Sequence, residues 1–356
     1  MNAENMTLSV PVINPEQGAR CLALGWQARV PITFVGGVGS GKTTIPTDFI
    51  KKMNEADDAA HEYKLWMNPL SFFADAGDVS GIPFPQDGRM KYLMNENMPF
   101  DTTEHGIMVG DELDRCREEV QNAFLQVLLG GEIHGHKLSP NCYVVGTMNG
   151  SSDIYTTQLS EAAATRMCSL FLSHKAAGYQ DSYDEWASAN GVGNVARTFS
   201  KFRAELLHPV PEFEEMAICV PRTVDMADRI LQAAKVTSVK TSDIIYPMLA
   251  GVIGRKAATE FLAVEKLIDE APPLEDIWRH PESADIPENP SVVYALVCGL
   301  TDSTKRENLN AVAHYGTRLP VEFAAMMFKR MSRNIPAIVT TVKFQEWQTA
   351  HKELLI

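Results

Sequence analysis

The sequence predicts an α/β fold: a parallel sheet covered by helices on both faces, followed by a helical remainder. Three observations carry this expectation. A short apolar run at residues 32–35 breaks into a glycine-rich turn and then into a helix. Further strand patterns recur, an alternating one at 63–70 and short runs at 107–109, 142–147 and 168–172, separated by helical or turn-rich stretches. From Ala196 onward the apolar spacing is mainly helical.

Composition bounds the problem. The 356 residues are enough for two or three domains. A hydrophobic share of 45% and a charged share of 22% belong to an ordinary globular chain. The formal net charge of −13 argues against a broad surface for nucleic acid. Six scattered cysteines without a C-x-x-C pair argue against zinc ribbons and a disulfide framework, and fit free thiols in a reducing compartment. With no signal-like start and no apolar run of membrane-spanning length, the chain reads as a soluble cytoplasmic protein with no membrane partner.

Taken in order, residues 1–13 read as a loose or edge-strand lead-in. Residues 15–28 read as a helix, with Pro15 in the first turn and Ala19, Leu22, Ala23 and Trp26 on one face. The first core strand then runs into Gly36-Gly37-Val38-Gly39-Ser40-Gly41-Lys42-Thr43-Thr44, which contains the phosphate-loop pattern G-x-x-x-x-G-K-[ST]. Glycines let successive N–H groups turn inward toward phosphate oxygens, and the helix that follows offers its positive end. These nine residues are the candidate nucleotide ligands. Lys42 would reach the β- and γ-phosphates, and the Thr43 hydroxyl would ligate Mg2+. Pro46 lies within the first turns of that helix and leaves its start open.

The turn-rich stretch 76–83 and the Asp87-Gly88 pair before an alternating run predict a hairpin. The third core strand ends at Gly110-Asp111-Glu112. Acids at the carboxyl end of a buried parallel strand are the expected companions of a phosphate loop. Asp111 would hold the Mg2+ water shell and Glu112 would polarise the attacking water. A helix follows, with Val120, Ala123, Phe124, Val127 and Leu128 at helical spacing and Gly130-Gly131 as its stop. His134-Gly135-His136 reads as a hairpin tip and not as a metal site. The strand at 142–147 delivers Asn149 to the edge where open parallel sheets place ligand groups. Residues 159–167 read as a short helix containing Arg166, and Pro221-Arg222 opens a later helix. A cation at a helix start is unfavourable unless an anion is near, so Arg222 fits a nucleotide contact. Residues 178–194 are polar and glycine-rich, the proline- and acid-rich stretch 267–290 reads as an exposed connection, and further helices are expected at 243–268, 291–300, 305–316, 319–333 and 343–353.

This order of phosphate loop, acidic pair, strand-end Asn, Arg166 and Pro-Arg resembles the AAA+ ATPases and, within them, the MoxR-like group. The resemblance covers the first two-thirds of the chain well and the last third more loosely. Residues 36–43 match Walker A, and residues 107–112 match Walker B with Gly110 in place of the usual bulky apolar residue. Asn149 matches sensor 1, Arg166 the arginine finger and Arg222 the sensor 2 arginine; Ser160, Thr165 and Met167 depart from the family's finger segment. Residues 78–92 and 132–141 resemble the family's two hairpin insertions. The resemblance implies an αβα P-loop (AAA+) domain over 1–174, a helical lid over 175–270 and a helical C-terminal extension over 271–356. It implies hydrolysis of ATP with Mg2+, catalytic roles for Glu112, Asn149, Arg166 and Arg222, and a hexameric homo-oligomer. It further implies a remodelled protein partner, with von Willebrand A-type domain proteins common for the group. The rival readings are a nucleotide-gated switch or scaffold, which has no use for Glu112, Asn149 and Arg166, and a DNA-directed motor, which the acidic balance disfavours.

Overall fold

The computed structural model describes residues 11–56, 61–149, 167–208, 217–237 and 242–354. The chain divides into two compact units, Met1–Tyr183 and Asp184–Ile356.

The first unit is built on a six-stranded parallel sheet. Its strands are β1 (Val12–Ile13), β2 (Ile32–Gly36), β3 (Tyr63–Pro69), β6 (His105–Asp111), β9 (Cys142–Met148) and β10 (Cys168–Leu172). Their spatial order is β1-β10-β2-β9-β6-β3, with every pair parallel. All five core strands expected from the sequence are present, and the lead-in contributes β1 at the edge. Between them lie α1 (Pro15–Ala28), α2 (Thr44–Glu55), the short α3 (Gly77–Ser80) and α4 (Glu118–Gly130). The side-chain period of two sorts the strand residues between two cores. Ile107, Val109, Tyr143 and Val145 join Leu22, Ile45 and Ile50 of α1 and α2. Met108, Cys142 and Val144 turn to the other face, against Val120, Phe124 and Val127 of α4.

The helix ends follow local chemistry. Asn14 and Gln17 close a reciprocal capping box on α1, at 2.8 and 3.0 Å. Gly131, at φ 62°, ends α4, and its N–H donates to the Val127 carbonyl. Pro46 is absorbed because α2 begins at Thr44, which places Pro46 in the first turn, where its ring meets no preceding helical turn and at most one bond at the helix start is lost.

Two hairpins stand outside the sheet: β4 (Ile82–Gln86) with β5 (Arg89–Leu93), turned at Asp87-Gly88, and β7 (Glu132–Ile133) with β8 (His136–Lys137). The His134 ring stacks on Tyr92 at 3.9 Å, and His136 Nδ1 meets Asp101 Oδ2 at 2.5 Å.

The second unit is helical among its described residues. After α5 (Tyr179–Ala189), which straddles the division, come α6 (Asn194–Phe202), α7 (Pro221–Val236), α8 (Ser242–Ile253), α9 (Arg255–Ile268), α10 (Leu274–Arg279), α11 (Pro290–Ser303), α12 (Leu309–Arg318), α13 (Val321–Asn334) and α14 (Val342–Ala350). The helix expected over 243–268 is two helices, broken at Gly254 with φ 84°. One other expectation is corrected, and one stretch to which the sequence reading assigned no element is helical. The polar stretch 178–194 contains the whole of α5, whose buried face is carried by Tyr179, Tyr183 and Ala187. The connection 267–290 contains α10, whose Ile277 is fully buried among Val293, Leu296 and Leu309. The Arg197 guanidinium is buried in this unit and held by Asp184 at 2.8 Å and by Asp302, the pairing that a buried cation requires.

Candidate functional site

The site forms at the carboxyl edge of the parallel sheet. Strand β2 ends at Gly36, the adjacent β9 ends one residue before Asn149, and β6, next beyond β9, ends at Asp111. Three separate chain segments are thereby delivered to one edge, where ligands bind in open α/β sheets.

Residues 37–43 form the turn between β2 and α2. Gly36 has no room for a side chain: a Cβ there would stand 2.5 Å from the Leu172 carbonyl oxygen and 2.8 Å from Ser40 Oγ. Gly41, at φ 95°, adopts a backbone conformation that L side chains rarely take. Its carbonyl accepts the Ile45 N–H at 3.0 Å, so helical bonding begins directly from the loop. The positive end of α2 therefore faces the loop.

Lys42 is 8% exposed. Its ammonium donates to the Gly36 carbonyl at 2.7 Å, the Gly37 carbonyl at 2.9 Å and Asn149 Oδ1 at 3.0 Å. Beside it, Thr43 Oγ1 donates to Asp111 Oδ1 at 3.3 Å. Thr147 Oγ1 also donates to Asp111 Oδ1, while accepting the Glu112 N–H at 3.1 Å. Glu112 has φ 57°, a left-handed conformation that costs a non-glycine residue about 1–2 kcal/mol. Its Oε2 accepts from Ser71 Oγ at 2.6 Å, and Arg115 Nη1 lies 3.6 Å from Oε1. Asp114, fully buried, accepts the Asn149 N–H at 2.9 Å. Burial pushes the Asp114 carboxyl up, against the opposing pull of the Asn149 N–H, Arg115 and Lys42.

The residues present fit a nucleotide with Mg2+. The buried Ser40 Oγ and Asn149 Nδ2 have no hydrogen-bond partner among the described residues, which are polar atoms an oxygen-rich ligand would satisfy. Thr43 Oγ1 and Asp111 Oδ1 are adjacent hard oxygen donors of the kind Mg2+ takes while keeping several waters.

Of the residues singled out in the sequence, the loop 36–44, Asp111, Glu112 and Asn149 come together at this edge. Arg166 lies outside the described residues. Arg222 is exposed at the second position of α7, in the second unit. The departure at Gly110 has a local cause: a Cβ there would meet the Phe124 ring at 2.4 Å, so the bulk expected on the strand is supplied from α4. Sequence reasoning passed over Ser71, Asp114 and Thr147. Only Asp114 left a trace, as a further acid in the run 111–114, and it gave no hint of its bond to Asn149.

No family model matches the chain, and no curated protein matches it. Solved structures do. A mutant form of RuvB from Thermotoga maritima matches at 12% identity and a TM-score of 0.40, over 85% of this chain and 89% of that one. A candidate ATPase from Cytophaga hutchinsonii matches at 13% identity and 0.36, over 71% and 90%. NtrX from Brucella abortus matches at 15% identity and 0.32, over 96% of this chain and 66% of that one. These likenesses are distant, and the reading of the site rests on the chain's own side chains.

Proposed function

We propose that the chain is an ATP hydrolase of the AAA+ type, MoxR-like in its ordering of parts, which uses hydrolysis to remodel a partner protein. The observation that carries the hydrolase reading is the convergence of Lys42 with Asn149, and of Thr43 with Asp111, on the phosphate loop.

In this reading the backbone N–H groups of residues 37–44 and Lys42 bind the phosphates. Mg2+ held by Thr43 and Asp111 would supply neutralising charge at the phosphate oxygens. Glu112 orients and polarises the attacking water, and Asn149 senses the γ-phosphate. Phosphoryl transfer needs positioning and charge stabilisation more than covalent help, which is what this set of groups provides. The test is Glu112→Gln. It keeps ATP affinity and lowers turnover by about 10²–10⁴-fold, the usual contribution of a general base. Normal turnover moves the base elsewhere.

Arg166 acting on a neighbour's nucleotide, Arg222 acting from the lid, a closed ring of six and a von Willebrand A-type partner complete the proposal. They rest on the sequence resemblance, together with the requirement that a head-to-tail contact close to avoid filaments. Mixing Arg166→Ala subunits with Lys42→Ala subunits restores activity at the mixed interfaces if Arg166 acts in trans. No recovery in demonstrated mixed assemblies contradicts it.

A further inference from the structure

Two chain segments leave the sheet side by side at the site, one from β6 and one from β9. The last register pair of β9 with β2 is Val35 with Met148, so Asn149 lies one residue past the sheet's own hydrogen bonding. Its backbone is held from the other segment. The left-handed turn at Glu112 brings the chain back against β9, where the Leu113 N–H donates to the Thr147 carbonyl at 2.9 Å. The Asn149 N–H then donates to Asp114 Oδ2 at 2.9 Å. Asp114 is 0% exposed, and its Oδ1 has no hydrogen-bond partner among the described residues. A buried carboxylate with an unsatisfied oxygen is a costly way to fill space. The bond it makes to Asn149 gives that cost a use, because the same Asn149 presents Oδ1 to Lys42 at 3.0 Å.

We propose that Asp114 is a positioning residue for hydrolysis: its carboxylate fixes the Asn149 backbone and so places the Asn149 amide against Lys42. This inference rests on the hydrolase reading above. Loop N–H groups and Lys42 still bind phosphate when Asn149 is loose, whereas turnover requires Asn149 in place. Loss of the Asp114 acceptor therefore separates turnover from binding.

The experiment compares Asp114→Leu, which fills the volume without an acceptor, with Asp114→Asn, which keeps one. Steady-state ATP hydrolysis, equilibrium binding of a fluorescent ATP analogue and thermal melting are measured on the full chain, with Glu112→Gln alongside. Asp114→Leu is expected to lower kcat by about tenfold or more with the analogue's Kd changed by less than about threefold, since the group acts through another and not on the phosphates. Asp114→Asn is expected to stay within about threefold of the parent in kcat. Equal loss in Asp114→Leu and Asp114→Asn, no loss in Asp114→Leu, or parallel loss of kcat and binding overturns the positioning role. If the parent fails to hydrolyse ATP, or Glu112→Gln turns over normally, the hydrolase reading itself fails, and the positioning role fails with it.

Discussion

Gly110→Ala tests whether the strand that carries Asp111 owes its geometry to Phe124. The alanine Cβ would stand 2.4 Å from Phe124 Cε1 and Cζ. Carbon atoms in contact prefer about 3.5 Å or more, so the ring must retreat by roughly 1.1 Å, the difference between the two. Phe124 is fully buried among Met108, Val120 and Val144, which leaves it little space to retreat into. Overpacking of this kind costs about 1–3 kcal/mol, offset by about 0.4–1 kcal/mol from the stiffer unfolded chain. The net loss is at most about 2.6 kcal/mol, and at about 2–4 °C per kcal/mol for a unit of this size the Tm falls by up to about 10 °C. Phe124→Leu removes the obstacle, so the double variant should be more stable than the sum of the two singles, with a coupling of about 0.5–3 kcal/mol. Thermal melts of the four proteins supply the cycle, and ATP turnover reports whether Asp111 has shifted. A Gly110→Ala Tm at or above that of the parent, with zero coupling, refutes the reasoning.

Other expectations address the metal and the pH dependence. Thr43→Val removes the hydroxyl beside Asp111 and should raise the Mg2+ needed for half-maximal hydrolysis by roughly tenfold or more; an unchanged Mg2+ titration contradicts the assignment. Asp228 is held above its ordinary carboxylate range by burial, despite the Gly193 N–H that it accepts at 2.9 Å and the Gln232 amide. A raised acid favours folding while it is protonated, and that advantage is lost as pH rises through the raised value. Asp228→Asn keeps the acceptor without the charge, so its urea midpoint relative to the parent should be higher at pH 7 than at pH 4. A difference that is constant with pH, or that falls, contradicts the burial argument.

The sheet and the loop were legible because their signals are local. Apolar runs mark the buried parallel strands, and residues 36–44 combine a glycine pattern with the strand before and the helix after. Helix α5 was hidden because its inward face is built from Tyr179 and Tyr183, which periodicity based on aliphatic residues undercounts. Helix α10 was hidden by flanking prolines and acids, although Ile277 anchors it in the core. Within the site, Asp111 and Glu112 announced themselves by position. Asp114, Thr147 and Ser71 did not, because each acts through a contact with a residue distant in the chain. The same applies to Gly110, which read as a departure from a pattern until Phe124 was seen to occupy the missing volume.

The central claim is that residues 36–44 bind the phosphates of ATP through Lys42, and equilibrium binding of ATP with Mg2+ to the parent and to Lys42→Ala tests it most directly. Hydrogen bonds to a charged group contribute about 1.5–3 kcal/mol, so the variant should bind about 10- to 150-fold more weakly while its circular dichroism matches the parent. Equal affinity in two equally folded proteins contradicts the account.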